Sequence, residues 1–142
     1  MTTFGTVYEN FFDLAREHDL DVVDEDTSNQ ILYGWLKFAI ARFTNCIKDL
    51  SKINEEEKSF IEDLDLAEIQ ILAQFMVLAS LKPKLHNSDL FKNGLSTKGY
   101  STSSPANLLK SIQSIYDATK ADINDAIIRY SNKNNDVSKW VK

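Results

Sequence analysis

This chain has little of what most folds use as punctuation. Its 142 residues include four glycines and two prolines, too few to break it into the many short strands of a sandwich or barrel. The single cysteine, Cys46, excludes an internal disulfide framework and fits a reducing compartment. No run of about eighteen apolar residues stands out, so no bilayer span is expected. The opening "MTTFGTVYENFFDLARE" lacks a basic n-region and a long apolar stretch, and does not read as a signal peptide. Apolar residues make up 43% of the chain and charged ones 26%. That balance is ordinary for a globular protein, and the length favours one domain. Helices are favoured before any pattern is read.

The patterns agree. Phe4, Val7, Tyr8, Phe11, Phe12 and Leu14 fall near helical spacing behind Thr3, a residue suited to N-capping. An acidic connector, "HDLDVVDEDTSN", follows and places negative charge ahead of the next helix. That second helix is expected over roughly Ser28 to Leu50, with Leu32, Trp35, Leu36, Ala39, Phe43, Ile47 and Leu50 on one stripe. "SKINEEEKSF" reads as a polar elbow with room for a helical turn. A third helix opens at Asp65, which with Glu68 three residues on resembles a capping box, aspartate standing in for the usual serine or threonine. "IQILAQFMVLASL" is apolar nearly all round and predicts a central buried helix, with Pro83 as its stop. Ser104 followed by Pro105 marks the restart. A final stripe then runs through Leu108, Leu109, Ile112, Ile115, Tyr116, Ile123, Ala126, Ile127 and Tyr130. The expectation is an all-α bundle of three long helices and one or two shorter ones, occupying residues 1–131. A long extended loop (86–103) and a C-terminal arm (132–142) complete it.

The inventory for catalysis is thin, and no catalytic, cofactor-binding or metal-binding residue is expected. His18 and His86 lie in separate connectors, whereas a metal needs three or four converging ligands. The acidic run from Asp19 to Asp26 lacks the mid-loop glycine and terminal glutamate of a calcium loop. "NGLSTKG" has neither P-loop spacing nor a preceding strand. Cys46, placed on the second helix beside core positions, reads as an inert thiol.

Two segments exceed what a bundle needs. The loop, longer than usual helix connections, carries Leu90, Phe91, Leu95, Lys98 and Tyr100. The tail carries Val137, Trp140 and Val141 in an asparagine-rich setting. Either these groups fold back onto the bundle and the tail frays, or they meet a partner; tryptophan is enriched at binding hot spots. Charge is also segregated. Residues 1–30 hold eight acids and one base (8 − 1, net −7), and residues 81–142 hold five acids and ten bases (10 − 5, net +5). Such ends suit complementary contacts between neighbours. Duplex binding through the basic half is a weaker reading, because its lysines are interspersed rather than striped.

Residues 65–131, "LAEIQILAQFMVLASLKPKL", "DLFKNGLSTKGYSTSSPANLL" and the long final helix, resemble the C-terminal half of the head–tail connector (adaptor or neck) proteins of tailed bacteriophages. The resemblance implies a structural virion protein without enzymatic activity. It would form a homo-oligomeric ring of about twelve subunits between the portal protein and a downstream neck or tail-completion protein. DNA would pass through its lumen as cargo, without a membrane or cofactor. It also implies a location at the virion neck, reached from the host cytoplasm, with the loop and arm making the contacts. The alternative is a small helical protein-binding regulator, antitoxin-like, of phage or bacterial origin.

Overall fold

The computed structural model describes residues 1–17, 29–86 and 105–134. Its elements, in chain order, are β1 (Thr2–Thr3), α1 (Phe4–Glu17), α2 (Asn29–Arg42), β2 (Ile53–Asn54), β3 (Ser59–Phe60), α3 (Leu66–His86) and α4 (Pro105–Asn134). The fold is mainly helical, as the patterning predicts. α3 is its axis, and α1, α2 and α4 each pack against it.

The reason lies in the residues of α3. Ile69, Ile71, Leu72, Ala73 and every residue from Phe75 to Leu81 are buried, so apolar groups point in all directions and three neighbours are needed to cover them. The stretch Leu66–Pro83 has a mean hydropathy of 1.2 and is long and apolar enough, by length and composition, to cross a membrane; 67% of it is buried inside the bundle. Val7 and Phe11 of α1, Leu36 and Ala39 of α2, and Ile112 and Ile123 of α4 meet α3 in one continuous core. Burying a side chain of the size of Phe11 or Leu36 contributes roughly 1.5–3 kcal/mol each.

Helix starts follow the expected chemistry. Thr3 Oγ1 accepts a hydrogen bond from Thr6 N–H at 3.4 Å at the head of α1. Both halves of the capping box at α3 form: Glu68 N–H donates to Asp65 Oδ1 and Asp65 N–H donates to Glu68 Oε1, each at 2.8 Å. α4 begins at Pro105, and it ends at Asn134, inside the stretch read as an arm.

Three local expectations fail. α2 stops at Arg42 instead of near Leu50. Beyond it, Thr44 N–H turns back to Arg42 O, and Asp49 Oδ1 takes the N–H of Ser51 at 3.1 Å. Such short side-chain bonds offer the backbone an alternative to helix. Phe43 and Leu50 still reach the core, but Ile47 is 62% exposed.

The polar elbow is a hairpin rather than a helical turn. β2 and β3 pair antiparallel (Ile53 with Phe60, Asn54 with Ser59), and β1 joins the other edge of β3 in a small sheet of order β1-β3-β2. Asn54 Oδ1 accepts from Glu56 and Glu57 N–H, and Lys58 takes φ 51°, so this side chain sits in the left-handed region to close the turn. Finally, Pro83 lies inside α3, which continues to His86. Its missing N–H costs one backbone bond near the helix end, and Leu85 still packs against the core.

Candidate functional site: a saturated polar junction and open surfaces

The eight residues expected to make contacts, Leu90, Phe91, Leu95, Lys98, Tyr100, Val137, Trp140 and Val141, lie outside the described residues. Within those, three places concentrate chemistry.

The first is centred on Glu68, almost wholly buried at the start of α3. Its Oε1 accepts from Asp65 N–H at 2.8 Å and from Lys48 Nζ at 3.1 Å. Its Oε2 accepts the Tyr130 hydroxyl at 2.6 Å and the Cys46 thiol at 3.4 Å. Tyr130, reaching over from α4, in turn accepts Ile47 N–H at 2.9 Å, and its ring stands edge-on to Phe43 at 5.4 Å. Lys48 also binds Asp63 O at 2.9 Å. The non-helical stretch after α2 is what presents Cys46, Ile47 and Lys48 to this point.

Electrostatics follow from this packing. Burial alone would raise the Glu68 carboxyl, but the bonds from Tyr130, Asp65, Lys48 and Cys46 prevail and hold it below the usual carboxylate range. Burial, reinforced by the bond to Glu68, raises Tyr130. Burial pushes the Cys46 thiol up to about 11, so the thiol stays protonated and weakly nucleophilic near neutral pH. The hydrogen bond to Glu68 raises Lys48. The side chains of Glu68, Tyr130, Lys48 and Cys46 each have a hydrogen-bond partner within the chain. Among the described residues, no group of three or more His, Cys, Asp or Glu converges as metal ligands.

The second place is an apolar end. Leu64 N–H donates to Thr2 Oγ1 at 2.8 Å, drawing the N-terminal strand against the start of α3. Around this junction Met1, Ile47, Ile61 and Leu66 are between 53% and 75% exposed. Three chain segments therefore leave large apolar groups in water at one end of the bundle.

The third comprises two grooves. One, of about 550 Å³, runs between α1, α2 and the hairpin and is lined by Phe4, Tyr8, Tyr33, Glu55 and Lys58. Phe4 and Tyr33 stack at 5.5 Å, and burial, then Tyr33, push the Tyr8 hydroxyl up to about 12. The other, of about 350 Å³, lies between α2, α3 and α4. Its floor includes Phe38, Phe75, Leu78 and Ile127, and Arg42, Lys82 and Lys120 stand around it.

Sequence reasoning missed all three places. Glu68 was read only as a cap, although its carboxylate also joins three chain segments. The cations had a legible signal: Phe38/Arg42 and Tyr116/Lys120 are spaced four apart, which stacks a cation over a ring on a helix face. No protein-family model matches the chain, and neither a curated protein nor a solved structure does.

Proposed function

We propose that this chain is a structural protein of a tailed-phage virion: an adaptor that forms a ring between the portal and the next neck or tail-completion protein, with DNA passing through. The observation that carries the reading is a closed helical core with large apolar side chains, Ile47, Ile61 and Leu66, left outside it at one end. Each would cost free energy in water and gain it against a second protein. The Glu68 junction supports a structural role, since its ionisable groups are engaged with one another. The likeness of residues 65–131 to connector proteins supplies the partner class. Here that stretch includes two antiparallel helices, α3 and α4, joined through residues 87–104.

The test mixes purified protein with the portal encoded by the same genome and images the product. A ring seated on the portal, weakened by Leu66→Asp or by removal of residues 135–142, is the expected result. No association with the portal, alongside tight capture of a single non-virion protein, would favour the regulator instead.

A further inference from the structure

Arg42 comes from the last turn of α2, Lys82 from the end of α3 and Lys120 from the middle of α4, yet they meet at one groove. Each rests over an aromatic face: Arg42 lies 4.9 Å and Lys82 5.5 Å from the Phe38 ring centre, and Lys120 lies 5.7 Å from that of Tyr116. Among the described residues no carboxylate lines the groove, and Asn124 and the Tyr116 hydroxyl are its uncharged polar groups. Among the described residues, none of the three cations has an ion-pair partner. The site is therefore an apolar trough under three uncompensated positive charges.

We propose that this groove binds the acidic segment 19–26 of a second copy of the chain, joining subunits head to tail. The sequence of that segment is "DLDVVDED": five carboxylates, no base, and Leu20, Val22 and Val23 interspersed. Its carboxylates match the three cations, and its aliphatic groups match the floor of Phe38, Phe75, Leu78 and Ile127. The stretch 87–104 is a poorer occupant, since its two lysines outnumber its single aspartate.

Each copy carries both the acidic segment and the basic groove, so the segment of one copy can seat on the groove of the next. A contact that joins two different patches is heterologous, and repeats around a ring when its rotation closes. The inference rests on reading the chain as an assembly subunit, but its test needs no portal.

Two measurements decide it. In a Cys46→Ser background, Asp24→Cys protein is mixed with a size-tagged Lys120→Cys protein under mild oxidation. A mixed disulfide-linked dimer is expected. A disulfide that forms only within a single chain carrying both substitutions would overturn the proposal in favour of an internal contact.

In parallel, a labelled peptide of residues 17–29 is titrated into the unmodified full-length protein. Saturable binding is expected, weakened at least tenfold by Lys82→Glu with Lys120→Glu and by replacing its acids with amides. Equal binding of the amide peptide, tighter binding of a DNA duplex, or neither crosslink nor binding would each overturn it. A ring on the portal without the crosslink, or the crosslink without a ring, would separate failure of the groove from failure of the adaptor reading.

Discussion

The same helix pair, α3 and α4, holds polar groups in opposite ways at its two ends. At the Glu68 end a buried carboxylate has four donors, drawn from α4, the cap of α3 and the stretch after α2. At the Lys82 end three cations stand over aromatic rings with no carboxylate beside them among the described residues. The contrast separates what folding requires from what it leaves over. A buried ion must be fully partnered or it costs several kcal/mol. A cation resting on a ring at the surface gains only about 0.5–1 kcal/mol, so it can exchange that contact for another.

The strongest attempt to break this contrast is Glu68→Ala. It strands the Tyr130 hydroxyl, Lys48 and the Asp65 N–H together and should cost about 3 kcal/mol or more, measured by urea unfolding. A loss below about 1 kcal/mol would mean the junction is not what secures α4.

Acid should act in the same direction. The folded Glu68 carboxyl is held below its unfolded value, so the unfolded chain binds more protons and stability falls as pH drops through the folded pKa. Lys48 is raised; its contribution is complete below the unfolded lysine value and is lost as pH rises through the folded one. Glu68→Gln should flatten both arms of a stability–pH curve; a curve that keeps both would assign them to other groups.

Tyr130→Phe removes one hydroxyl yet leaves two partners short, Glu68 and the Ile47 N–H. A loss of about 1–3 kcal/mol is expected by the same assay. In the groove, Lys82→Ala and Lys120→Ala should each shift unfolding by no more than about 0.5 kcal/mol. A larger loss would show that those cations hold the bundle together after all. The finest test lies on α4 next to Lys120, where the Thr119 hydroxyl is buried without a hydrogen-bond partner among the described residues. Thr119→Val keeps the shape and removes the unmet group, and should leave stability unchanged or raise it by up to about 1 kcal/mol.

The helical character and the core were legible because they rest on periodicity that local residues carry. Asp65 with Glu68, the all-round apolar α3 and the stripe of α4 each announced themselves. The hairpin did not: its strands are two residues long, too short for alternation to register, and "NEEEK" looks like solvent-facing helix until Asn54 is seen closing the turn. Nor did the end of α2, because Ile47 and Leu50 continue the stripe while Asp49 and the backbone depart from it. The junction and the groove stayed hidden for a different reason. Glu68 and Tyr130 are 62 positions apart, and Arg42, Lys82 and Lys120 are about forty apart in turn. Only packing around α3 brings such residues together.

Tyr130 stands one turn from the end of α4, and its grip on Glu68 has a mechanical side. A pull on the chain beyond Asn134 would reach the bundle first at this tyrosine. The load would pass to the opening turn of the central helix instead of peeling the last helix away residue by residue. Resistance to tension is then concentrated at a single latch, and a single-molecule extension trace should show one abrupt release there.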